Sequence, residues 1–124
     1  MSQLRIKRLY QAVEREDGLR VLVDGLWPRG MSKEQAHIDL WLKEVAPSPF
    51  LRKWFNHDPQ KWTEFCHRYH QELNVKKDSL QPIIDSLKVK NVTLLYGAKE
   101  ERFNNAAALR DYIQCFMGSL AGCT

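Results

Sequence analysis

Three charged side chains, Asp24, Arg29 and Lys99, follow closely on apolar β-type runs, and their types suit chemistry on a small anion. A carboxylate can take a proton or accept from a hydroxyl. A guanidinium and an ammonium can hold a phosphate or carboxylate. These three are the candidate catalytic residues. Around them, Trp27, Gly30, Ser48, Tyr96, Asn104 and Asn105 are candidate ligand-binding residues. A loop Trp27 can wall a pocket, and Gly30 with Pro28 keeps this segment irregular. Ser48, Asn104 and Asn105 fall at expected helix N-termini, where free N–H groups favour anions. Each residue also has a plain structural reading. Asp24 can accept backbone N–H groups, Arg29 can pair with Asp24 or Glu44, Trp27 can be core, and Ser48 and the asparagines can be caps.

Two other groupings are weaker. Cys66-His67-x-x-His70 places Cys66 and His70 about 40° apart on one side of a helix. Two such ligands fall short of the three or four a metal site needs, so no metal site and no cofactor are expected. A thiol on a buried stripe is inert rather than nucleophilic. Arg52, Lys53, Lys61 and Arg68 lie among Trp54 and Trp62, a mixture that can stack bases and bind phosphates. Helical spacing assigns most of these aromatics to the core.

The elements that must position these residues are legible. Leu4–Tyr10, Leu19–Asp24 and Val92–Tyr96 read as strands, with Leu40–Val45 a further candidate. Asp17-Gly18 marks a turn. Ser32 with Gln35 forms a capping-box pattern for a short helix through His37. Ser48-Pro49 opens a helix to Phe55, and Asp58-Pro59 opens one to Asn74. On the latter, Trp62, Phe65, Cys66, Tyr69 and Leu73 form one apolar stripe. Asp78 or Ser79 caps a helix carrying Leu80, Ile83, Ile84 and Leu87. Asn104 or Asn105 caps a last helix through Leu120, with a flexible tail expected over 118–124. Strands alternating with helices predict a compact three-layer α/β domain with a small, mostly parallel, Rossmann-like sheet flanked by helices. Leu4–Tyr10 and Leu19–Asp24 are joined by too few residues for an ordinary parallel crossover, which leaves a hairpin as the alternative. In open parallel sheets ligands bind beyond the strands' carboxyl ends, the edge where Asp24, Arg29 and Lys99 should meet.

Length and composition bound the rest. The chain has 124 residues, which fits one domain spanning 1–124. Its 44% hydrophobic and 27% charged residues suit a globular protein and argue against disorder. No apolar run approaches the roughly 20 residues of a membrane span, and the start lacks an apolar signal region. The three cysteines are widely spaced with no C-x-x-C, which suits reduced thiols and a cytoplasmic location. Nineteen Lys+Arg against fifteen Asp+Glu give +4, a mild excess that suits an anionic ligand. No run of five like charges marks a nucleic-acid patch, and no membrane partner is expected.

Certain stretches are distinctive together: Arg20-Val-Leu-Val-Asp24-Gly-Leu-Trp27-Pro28-Arg29-Gly30, Ala46-Pro-Ser48-Pro-Phe-Leu-Arg52-Lys-Trp54-Phe55-Asn-His57-Asp58, Trp62-x-x-Phe65-x-x-x-Tyr69-x-x-Glu72-Leu73, Thr93-Leu-Leu-Tyr96-Gly-Ala98-Lys99 and Asn104-Asn105-Ala106. With them the chain resembles, over almost its whole length, the YeaO-like branch of the domain-of-unknown-function 488 family. The resemblance implies a compact bacterial α/β protein, cytoplasmic, with no established activity to carry over. It marks Asp24, Arg29, Ser48 and Lys99. Two departures stand out: the family commonly has arginine at Gly25 and often histidine at Asn105. Longer relatives carry a Cys-His-Arg motif near Asn104-Asn105-Ala106 that is absent here. The function expected is binding of a small anionic or nucleotide-like ligand at the carboxyl edge of the sheet, with or without turnover. The alternative is a non-catalytic nucleic-acid or protein interaction module.

Overall fold

A computed structural model describes residues 2–120 of the chain. Among them four strands form one wholly parallel sheet, in which the fourth along the chain lies between the first and the second, and the third pairs with the second. The strands are β1 Leu4–Arg8, β2 Leu19–Leu22, β3 Leu40–Trp41 and β4 Val92–Tyr96. The helices are α1 Lys33–Ala36, α2 Pro49–Phe55, α3 Trp62–Val75, α4 Gln81–Leu87 and α5 Asn105–Leu120. β4 is central and buried at every position, which explains its unbroken apolar run. It aligns Leu4 to Arg8 of β1 with Val92 to Tyr96, and Leu19 to Leu22 of β2 with Val92 to Leu95. β1 and β2 therefore flank β4 and do not pair, so the hairpin alternative is wrong. A ten-residue stretch carries the chain past the slot that β4 fills.

Alternation along the strands divides the core. Val21, Val23, Val92, Leu94 and Tyr96 join the main apolar cluster, with α2, α3, α4 and α5 supplying Phe55, Phe65, Ile83 and Leu109 among others. Leu22 and Leu95 face the other way, meeting Leu9, Ala36 of α1, Trp27 and Trp41. That second layer is thin, made by a one-turn helix and a loop.

Local chemistry sets the boundaries. Ser32 and Gln35 form the expected capping box. Ser48 Oγ accepts from Leu51 N at 3.1 Å, opening α2 on Pro49. Asp58 caps a 3-10 turn at Pro59–Lys61, so α3 proper begins only at Trp62. The helix expected from Asp78 or Ser79 starts instead as a 3-10 turn, Lys77–Leu80, with no side-chain cap, and becomes α4 at Gln81. β1 stops at Arg8, where Gln11 N bonds back to Arg8 O. The third strand keeps only Leu40–Trp41, because Lys43–Val45 coils into a 3-10 turn. α5 reaches Leu120, past the start of the expected tail, and 121–124 lie outside the described residues.

At the amino end of the sheet a charged cluster is closed off from water. Asp17 bonds Arg20 Nη1 at 2.5 Å and Lys7 Nζ at 3.0 Å. Arg20 also donates to the carbonyls of His37 and Ala36. Burial alone would raise the Asp17 carboxyl. The Glu14 N–H, Lys7 and Arg20 outweigh it and hold Asp17 below its usual range. Gly18 follows at φ 64°, and a Cβ there would stand 2.1 Å from Asn91 O, so only glycine fits this turn.

Candidate functional site

The chain leaving β2 turns toward α1 on the thin face, whereas the chain leaving β4 enters α5 on the main face. A crevice opens where neighbouring strands send their chains to opposite faces. Asp24, just past β2, and Gly97, just past β4, meet there: Gly97 N donates to Asp24 Oδ2 at 2.8 Å. Asn105, the first residue of α5, donates through Nδ2 to Asp24 Oδ1 at 3.1 Å and to Val23 O at 3.2 Å. Trp41 Nε1 donates to the Asp24 carbonyl at 2.8 Å. Burial raises the Asp24 carboxyl above its usual range, outweighing the Gly97 N–H, the Asn105 amide and the charge of Arg52, all of which favour the anion.

Above this junction lies a cavity of about 420 Å³, within the size range of small-molecule sites. Of the expected residues, Asp24, Trp27, Arg29, Asn104 and Asn105 line it. Trp27 is fixed by its Nε1–H to Met31 O at 2.7 Å and by an edge-on contact with Trp41. Asn104 is the cap of α5: its Oδ1 accepts from Ala107 N at 2.9 Å. Arg29 is exposed at the rim.

Gly30, Ser48, Tyr96 and Lys99 do not line the cavity. Ser48 is held by Glu72, which accepts from its N–H at 2.9 Å and its hydroxyl at 2.6 Å. Tyr96 packs in the main core, 3% exposed. Gly30 serves its loop, at φ 75° with open space around it. Lys99 is exposed three residues beyond the end of β4, at a bend in the loop that leads to α5.

Other residues complete the lining. Arg52 comes from α2, with Nη2 3.9 Å from where a Cβ on Gly25 would stand. His57 lies just past α2, and both Asn56 and His57 have positive φ, 46° and 56°. Two successive non-glycine residues in the left-handed region are costly and require enforcement by their surroundings. Tyr10 and Phe103 add aromatic wall. Tyr10 donates its hydroxyl to Arg29 O at 3.1 Å, and Arg8 stacks over its ring at 4.8 Å. In the sequence Arg52 falls in the weaker basic-aromatic grouping with Lys53 and Trp54, which does not point to the carboxyl edge of the sheet. His57 lies in the distinctive stretch Ala46 to Asp58, between a short helix and the next cap.

The other groupings have different fates. Cys66 is half-buried, and burial, with the nearby Asp111 charge, pushes its thiol up to about 11. His70 Nε2 sits 3.0 Å from Ala108 O. Among the described residues no cluster of three or more His, Cys, Asp or Glu could hold a metal. The Trp54 ring is already stacked by Arg68 at 4.3 Å and by Lys61 at 5.1 Å. No described helix is long and apolar enough to cross a membrane.

Residues 3–118 match the family model described as the inactive DUF488-N3 subclade. The chain is 38% identical to the uncharacterized protein YeaO of Escherichia coli K12 over 111 residues, 90% of this chain and 96% of that one. It is 42% identical over 73 residues to uncharacterized proteins of Mycobacterium bovis and Mycobacterium tuberculosis. Those matches take in 59% of this chain and 62% of each relative, less than two thirds of their length. No solved structure matches. The match over nearly the whole chain, and over nearly all of YeaO, carries the conclusion: this protein belongs to the DUF488 family, in its inactive DUF488-N3 subclade.

Proposed function

We propose that this protein is a cytoplasmic binding protein for a small anionic ligand, held in the cavity at the carboxyl edge of the sheet without chemical turnover. The observation that carries this reading is the charge balance of the cavity. Arg29, Arg52 and His57 line it, against the single carboxylate of Asp24. Both Asp24 oxygens already accept hydrogen bonds, from Gly97 and Asn105. Asp24 then organises the site, tying β2 to β4 and to the start of α5. Arg29 and Arg52 hold the anion, Trp27 walls it, and Asn104 and Asn105 orient it. Lys99, Gly30, Ser48 and Tyr96 lie outside the cavity and take no part in holding the anion. The absence of turnover is supported by the family's description as inactive. The departures that the family resemblance implies, Gly25 at a position that is commonly arginine and Asn105 at one that is often histidine, point the same way.

The test is calorimetric titration with inorganic phosphate, sulfate and ribose 5-phosphate. A ligand at 100 times its Kd should also add about 2.7 kcal/mol to stability. Arg52→Ala should weaken binding about tenfold or more, since hydrogen bonds to charged groups contribute about 1.5–3 kcal/mol. Unchanged affinity in both Arg52→Ala and Arg29→Ala would remove the reading.

A further inference from the structure

We infer that the cavity is built for one nucleotide unit, with an aromatic base against Tyr10, sugar hydroxyls on Asp24 and Asn105, and phosphate on Arg52. This rests on the anion reading and specifies what the anion is attached to.

The first observation is Tyr10. It lines the cavity yet is 44% exposed, unusual for a ring that its surroundings hold so firmly. Its hydroxyl is pinned to the Arg29 carbonyl, and the Arg8 guanidinium covers one face. Arg8 is itself fixed, with Nε donating to Ala98 O at 3.1 Å. A half-exposed cavity-wall ring backed by a cation is a ready platform for a second π-system. A simple anion has no use for it.

The second observation is the pattern of acceptors. Asn105 spends its Nδ2 on Val23 O and Asp24, while among the described residues no donor reaches its Oδ1. The Asp24 carboxylate keeps lone pairs beyond the two already used. The inner part of the cavity thus offers acceptors, whereas Arg52 offers a charged donor fork. A phosphate alone, held on the arginine, would leave those acceptors unused. A ligand with hydroxyls near one end and a phosphate at the other satisfies both. The cavity of about 420 Å³ suits one such unit rather than a dinucleotide.

The unit could be a free 5′-mononucleotide or the 5′-phosphorylated end of a strand. Titrating the full chain with ribose 5-phosphate, adenosine 5′-monophosphate, uridine 5′-monophosphate and a 5′-phosphorylated trinucleotide separates these. At least one mononucleotide should bind about tenfold or more tightly than ribose 5-phosphate, the usual worth of one stacked base. Tyr10→Ala, at an exposed position, should erase that difference while leaving ribose 5-phosphate binding in place. A trinucleotide tighter than its mononucleotide assigns a strand end, and equal or weaker binding assigns the free nucleotide. If ribose 5-phosphate binds as well as both mononucleotides, or Tyr10→Ala leaves the preference intact, the nucleotide assignment falls and the anion reading survives. If ribose 5-phosphate and both mononucleotides fail to bind, both readings fall.

Discussion

The short strand β2 has an aspartate just beyond each end, and the two live in opposite electrostatic worlds. Asp17 precedes the strand, sealed between Lys7 and Arg20 with every oxygen taken by a cation or a backbone N–H. Asp24 follows it, tied only to neutral donors, with its nearest compensating cation standing in an open cavity. Asp17 is held below the usual carboxylate range and Asp24 above it. The amino end of the sheet is a completed electrostatic lock. The carboxyl end keeps unspent charge and unspent acceptors, the condition of a surface made to receive something.

The sharpest way to break this contrast is to remove the lock. Asp17→Asn leaves Arg20, whose side chain is 4% exposed, without its counter-charge. It should cost about 3–5 kcal/mol, measured by urea unfolding. Asp24→Asn should cost about 1–3 kcal/mol, because an amide can accept from Gly97 or Asn105 but not from both. If the two variants lose equal stability, the ends of β2 do not differ as described.

Acid titration of unfolding sharpens the same comparison. Asp17 binds its proton less readily in the fold than in the unfolded chain, so its contribution is present above about 3.8 and fades as pH falls below that value. Asp24 has the opposite sign: stability declines as pH rises from 3.8 through its raised folded value. Asp17→Asn should flatten the acid limb below 3.8, and Asp24→Asn should remove the decline above it. The smallest effect belongs to Lys99→Ala. An exposed side chain outside the cavity should change stability by less than about 0.5 kcal/mol, and should leave phosphate affinity unchanged by titration.

Much of this was legible in the residue order, for local reasons. Ser48-Pro49, Ser32 with Gln35 and Asp17-Gly18 act through neighbours in the chain, so their turns and caps could be read directly. The runs around Val21 and Leu94 are apolar throughout because both faces of those strands are covered. Pairing partners were harder. Whether β1 meets β2 or β4 depends on contacts some ninety residues apart, and only the loop length hinted at a conflict. For the site, Asp24, Arg29, Trp27, Asn104 and Asn105 were found by one rule about strand ends. The same rule marks Lys99, which the loop after β4 leaves exposed outside the cavity. Ser48 obeyed the cap reading and nothing more, with Glu72 as a partner from another helix. Arg52 and His57 reach the cavity from the end of α2, which the rule does not cover.

The position of β4 has a consequence for how the molecule is born. The middle of the sheet is the last strand to leave the ribosome. Until residue 96 has emerged, β1 has no neighbour and β2 only the two-residue contact with β3. The three earlier strands must wait, partly open, for the piece that joins them. Folding should therefore be a late, all-at-once event, slow for so small a chain. During synthesis the unfinished product is a natural client for chaperones.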